Sequence, residues 1–110
     1  MKFIRSAAAA LLAVMVLASC AAFPPAPDNE QILKAIEESN ESESKPLELV
    51  YSEMHVPHRF PGRAGAVLWV PDKSIQRNYS IFYDKKKKCF YVKSYATFIR
   101  GEDGVYRDEQ

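Results

Sequence analysis

The sequence is poor in the residues that build catalytic loops and crosslinked scaffolds. Its 110 residues include four Gly, two Cys and one Trp. It has no Gly-rich phosphate loop, no Ser-centred elbow, no paired-carboxylate motif and no Cys-x-x-Cys. Two cysteines cannot supply the disulfide framework of a small crosslinked domain. No apolar stretch reaches the roughly 20 residues needed to cross a bilayer, since the run Ala7–Leu17 has 11. The length allows one small domain. These absences exclude a multidomain enzyme, a polytopic membrane protein and a disulfide-rich miniprotein. The expectation is a protein that is not an enzyme and needs no cofactor or metal.

The N-terminus carries the most specific pattern. Lys2 and Arg5 precede the apolar run, which has the length of a secretory signal core. The run ends in Leu17-Ala18-Ser19-Cys20, an aliphatic residue, two small residues and a cysteine. This resembles the lipobox of bacterial lipoproteins. The resemblance covers residues 1–20 and implies a signal peptide over 1–19, diacylglyceryl attachment to the Cys20 thiol, cleavage before Cys20 and acylation of the new N-terminus. Two or three acyl chains hold a protein to a membrane stably where one holds it marginally. Ala21, rather than Asp, follows the cysteine, which favours the outer membrane under the enterobacterial sorting pattern. If Cys20 is consumed as a thioether, Cys89 is the only free thiol, buried or paired with another chain.

Beyond the anchor, residues 20–28 read as a tether, because Pro24, Pro25 and Pro27 favour an extended spacer. Asp28 and Gln31 have capping-box spacing, and Ile32, Leu33, Ala35 and Ile36 follow at helical intervals. This predicts a short helix over Asn29–Glu38 and, with the polar stretch Ser39–Pro46, a helix-and-linker segment over 29–46. Residues 47–110 read as a small β-rich domain. Alternation predicts strands over Leu47–Val56, Ala66–Val70, Tyr79–Tyr83 and Cys89–Ile99. Pro57–Gly65 reads as a loop, Asp84–Lys88 and Gly101–Gly104 as turns, and Val105–Tyr106 as a brief pairing. In the last long strand Phe90, Val92, Ala96 and Phe98 fall on one face, with Tyr91, Lys93, Tyr95 and Thr97 on the other. The fold class is therefore α+β: a short N-terminal helix plus a small, mainly antiparallel β-meander of about four strands. Its apolar face needs a cover, supplied by the helix, by the Pro57–Gly65 loop or by a partner.

Charge is segregated along the chain. Asp28–Val56 carries eight acidic residues against two basic ones, and Pro57–Gln110 carries 11 basic against six acidic. The strongest local signal is Lys85, Lys86, Lys87 and Lys88 in one turn. Such a run attracts phosphates or uronic acids, and it also guards a hairpin tip against edge pairing. Tyr91, Lys93 and Tyr95 on the adjacent strand extend the pattern towards a partner or anionic-ligand surface. Basic and aromatic residues on a sheet also suit nucleic acid, but export to the envelope argues against it. Met54, His55 and His58 form an incomplete metal shell. Cys89 follows four lysines, a setting that would suit a nucleophilic thiol if it were exposed, but only His55 and His58 could serve it as a base. Together these features predict an envelope lipoprotein held to the membrane by Cys20, acting as a non-enzymatic accessory module for an envelope protein partner. The alternative is direct binding of an anionic glycan or lipid headgroup.

Overall fold

The computed structural model describes Pro24–Glu109, so the signal segment and Cys20 lie outside the described residues. Helix α1 spans Asn29–Glu41, and five strands follow: β1 (His55–Phe60), β2 (Arg63–Trp69), β3 (Ile75–Asp84), β4 (Cys89–Arg100) and β5 (Tyr106–Asp108). They form one antiparallel sheet in the order β1-β2-β3-β4-β5. The architecture is the expected α+β meander, with five strands instead of four.

The capping box sets where α1 begins. The Asp28 carboxylate accepts from the Gln31 amide at 2.8 Å, and the Gln31 side chain accepts from the Asp28 amide at 2.9 Å. Two of the orphan donors of the first turn are thereby satisfied. Ile32, Ala35 and Ile36 form the stripe that packs onto β4 and β3. Both isoleucines are fully buried, each contributing about 1.5–3 kcal/mol of transfer free energy. They meet Ala64, Ala66 and Leu68 of β2, Tyr79 and Ile81 of β3, Phe90 of β4, and Leu49 and Val70. The helix is thus the cover that the sheet requires.

The segment after α1 is more ordered than its polarity suggests. The helix runs three residues past Glu38 and is capped by Ser42. The Asn40 side-chain amide donates to the Leu47 carbonyl at 2.8 Å and accepts from the Leu47 amide at 3.1 Å. Those two bonds close the loop that reads as a solvated linker. Residues 29–46 and 47–109 therefore share one core.

Two sequence expectations are corrected between Leu47 and Gly65. Leu47–Val56 is not a strand: Leu49 is buried in an irregular segment, Tyr51–Glu53 forms a single 3₁₀ turn, and extended pairing starts at His55. Pro57–Gly65 is not a loop, because most of it belongs to the β1–β2 hairpin around Pro61-Gly62. Pro57 is tolerated because β1 is the edge strand and the ladder is already irregular between His55 and His58. Gly62 takes the positive φ of the tight turn, at 79°.

The third correction governs the rest of the molecule. In β4 the pairing with β3 shifts register: Ile81 faces Val92, but Ser80 faces Ser94, so Lys93 is an extra residue. This bulge reverses the alternation of side chains. Phe90 and Val92 face the helix-covered core as expected. Beyond the bulge Tyr95 and Thr97 take that side, while Ala96 and Phe98 are turned to the opposite face.

A candidate interaction surface on the open face of the sheet

Among the described residues the sheet has helix on one face only. Its other face is read directly from the register. His58 and Phe60 of β1 lie beside Arg63, Gly65, Val67 and Trp69 of β2. Gln76, Asn78, Ser80 and Phe82 of β3 come next, and Tyr91, Ser94, Ala96 and Phe98 of β4 follow. Small side chains in the middle of this face leave a groove of about 350 Å³, lined by Gly65, Val67, Asn78, Ser80, Ser94 and Ala96 and bounded by His58 and Phe98.

Gly65 allows this shape. A methyl group built on it would clash with the His58 ring, so the imidazole lies directly over the Gly65 backbone. Larger aromatic and basic groups rim the groove. The His58 and Phe60 rings stack at 5.7 Å, and the Arg63 guanidinium lies 5.3 Å from the Phe60 ring centre. The Lys93 ammonium sits 4.5 Å over the Phe82 ring, so the bulged residue projects onto the open face. At the far end the Trp69 indole donates to the Gln76 side chain at 3.1 Å, and Gln76 donates to Asn78 at 3.0 Å. Phe60 and Tyr91 are both more than two-fifths exposed. Apart from Asp84, whose carboxylate is occupied in the next turn, the β1–β4 positions on this face carry no Asp or Glu.

The predicted site residues divide into three places. Lys85, Lys86, Lys87 and Lys88 form the β3–β4 turn and are all exposed. Asp84 holds the turn by accepting from the amides of Lys86 and Lys87, at 2.9 and 3.2 Å, and Lys88 closes it with a φ of 55°. Tyr91 and Lys93 stand on the open face beside Phe82. Tyr95 does not join them, because the bulge puts it on the helix side opposite the buried Tyr79, with ring centres 5.7 Å apart. The expectation that Tyr91, Lys93 and Tyr95 share one face is therefore corrected.

Tyr95 belongs instead to a polar cluster at the end of the helix-covered core. The buried Arg77 guanidinium lies 4.2 Å from the Tyr95 ring centre. Arg77 donates to Glu43 at 2.8 Å, to Thr97 at 3.1 Å and to the Tyr79 hydroxyl at 3.4 Å. Glu43 comes from the acidic stretch after α1, so part of the sequence's charge segregation resolves into this contact. Burial raises the Tyr79 hydroxyl above its ordinary value, with Arg77 opposing the rise.

The weaker motifs are dispersed. Cys89 is an exposed free thiol at the start of β4, not a buried one, and two strands separate β4 from the histidines of β1. His55 and His58 both fall on the open face, while Met54 packs against the core. Among the described residues no three His, Cys, Asp or Glu side chains are grouped to hold a metal ion, and no helix is long and apolar enough to cross a membrane.

Sequence reasoning did not anticipate Gly65, Val67, Asn78 and Ser80 as surface-forming residues. Their signal was the alternation of Asn78 and Ser80 with Tyr79 and Ile81, which marks a half-exposed strand. No protein-family model matches the chain, and no curated protein or solved structure matches it either.

Proposed function

We propose that this protein is a bacterial envelope lipoprotein, anchored through Cys20, that serves as a non-enzymatic accessory module by receiving a protein partner on the open face of its sheet. The observation that carries this reading is the one-sided covering of the sheet. Helix α1 closes one face, and the other presents a groove with an aromatic and basic rim. Exposed aromatics around a concave floor supply the anchors and pockets typical of interface hot spots. Arg63 and Lys93, with almost no carboxylate beside them, favour a partner segment that carries Asp or Glu. Anchoring in the outer membrane holds the module near membrane-bound partners, so a weak interface suffices through high local concentration.

The test is an in-cell crosslinking pull-down of the full-length lipoprotein, compared with Ser80→Arg, which fills the groove from an exposed strand position. A single stoichiometric protein partner, captured by the native chain and lost with the variant, is the expected result. Equal capture by both chains contradicts the proposed surface.

The second reading is direct binding of an anionic envelope glycan, favoured by Phe60 and Tyr91 standing exposed beside Arg63 and Lys93. It predicts that the purified protein is retained on peptidoglycan or lipopolysaccharide, and that Tyr91→Ala reduces retention. Absence of retention by the native protein removes it.

A further inference from the structure

We infer that the Lys85–Lys88 turn faces the bilayer that holds Cys20 and binds anionic phospholipid headgroups, fixing the orientation of the domain on the membrane. This inference rests on the lipid-anchor reading and adds an orientation to it.

The geometry begins with the segment read as a tether. Pro24–Pro27 is packed against the domain. The Gly62 amide donates to the Pro25 carbonyl at 3.0 Å, and Pro24 lies against Gly62, where an added methyl would meet its ring at 3.1 Å. Pro27 is fully buried, and its carbonyl accepts from Arg59 at 2.6 Å. The chain is therefore held at the tip of the β1–β2 hairpin. In a meander the β1–β2 and β3–β4 turns lie at the same end of the sheet, and one bond links them here: the Tyr83 amide donates to the Gly62 carbonyl at 3.0 Å. Tyr83 is two residues from Lys85.

Cys20 precedes Pro24 by four residues, a reach of at most about 14 Å even if fully extended. A lipidated Cys20 must keep this end of the domain close to the headgroups. The opposite end, at the Gly101–Gly104 turn, is held away by the length of β4.

The chemistry of the near end fits such a surface. None of Lys85–Lys88 is in an ion pair among the described residues. Lys34 of α1 adds a fifth cation, since it lines a shallow groove with Lys88 and Cys89. Glu38 lines the same groove and Asp84 sits in the turn itself, so the five lysines outnumber these two carboxylates. Each lysine at an anionic lipid surface favours the docked state about fivefold, and the four of the turn together by roughly 600-fold.

Cys89 is a native reporter beside the turn. The acylated full-length protein is reconstituted into phosphatidylcholine vesicles with and without phosphatidylglycerol, with a fluorophore on Cys89 and a quencher on the lipid headgroups. The mass of the intact protein first establishes acylation of Cys20. The expected result is strong quenching in phosphatidylglycerol vesicles, reduced to the level that the short anchor alone gives by high salt, by neutral vesicles and by the variant K85S/K86S/K87S/K88N. Asn is used at position 88 because it tolerates positive φ. A label at Glu102→Cys, in a Cys89→Ser background, should remain unquenched throughout. An acylated protein whose Cys89 label is unquenched overturns the orientation, and one whose quenching is the same whatever the salt and lipid charge overturns the headgroup binding. An unacylated chain overturns the anchor reading and the orientation with it.

Discussion

The two faces of the sheet are built from the same four long strands and meet opposite fates. On the helix side, Leu68, Ile81, Phe90 and the α1 isoleucines leave no room for solvent. On the open side, Gly65, Val67, Asn78, Ser80 and Ser94 occupy the matching positions, and the large groups stand at the rim. The difference is one of side-chain volume at each strand position. Large apolar groups in the centre require a cover. Small ones in the centre with large ones around them make a concave surface that is stable uncovered. Side-chain volume thus separates the residues that hold the fold from the residues that stand uncovered.

Breaking the covered face should have the largest effect. Ile36→Ala removes a fully buried side chain between helix and sheet, and should cost about 3 kcal/mol, read as a lowered midpoint in chemical denaturation. A similar loss is expected from Arg77→Met, because it strands the Glu43 carboxylate in a largely buried site; about 3 kcal/mol is typical of breaking such a pair. The double variant Arg77→Met/Glu43→Gln should recover part of that loss, and a double-mutant cycle measures how much.

The same face predicts a pH dependence. Burial raises the Tyr79 hydroxyl above the ordinary tyrosine value of 10.0. The folded pKa therefore exceeds the unfolded one. Its contribution to stability is complete below 10.0 and is lost as pH rises through the folded value. Thermal melts above pH 10 should show this decline, and Tyr79→Phe should make it shallower.

Smaller effects belong to the periphery. Asp28→Ala removes half of the capping box and should cost about 1 kcal/mol. On the open face, Ser80→Arg should change stability by no more than about 0.5 kcal/mol while abolishing partner capture. A large stability loss from Ser80→Arg would show that the open face also maintains the fold, and the division between faces would fail.

The extent to which this was legible in the sequence follows from range. The α1 cap, its apolar stripe, the Pro71-Asp72 stop, the lysine turn and the Gly101–Gly104 turn are local, and each appears where local chemistry puts it. The bulge at Lys93 is not local. It is defined by pairing with β3, and nothing in the sequence of β4 announces it, so strict alternation puts Tyr95, Ala96, Thr97 and Phe98 on the wrong faces. Pro57, Gly62 and Gly65 together resemble a loop, but Pro57 sits on an edge strand that tolerates it, Gly62 makes the tight turn and Gly65 lies within β2 beneath the His58 ring. Asn40 and Glu43 resemble a solvated linker because their partners, Leu47 and Arg77, lie 7 and 34 residues away. The lysine turn was visible from the start, whereas its place at the same end as the Pro24–Pro27 contact requires the fold.

The most direct measurement is site-specific photocrosslinking in cells, with a photoreactive residue placed either at Ser80 on the open face or at Glu37 on the solvent side of α1. The account predicts one discrete protein adduct from Ser80 and none from Glu37. An adduct from Glu37 with none from Ser80 would contradict it, because the partner would then dock on the helix and the open groove would not be the interaction surface.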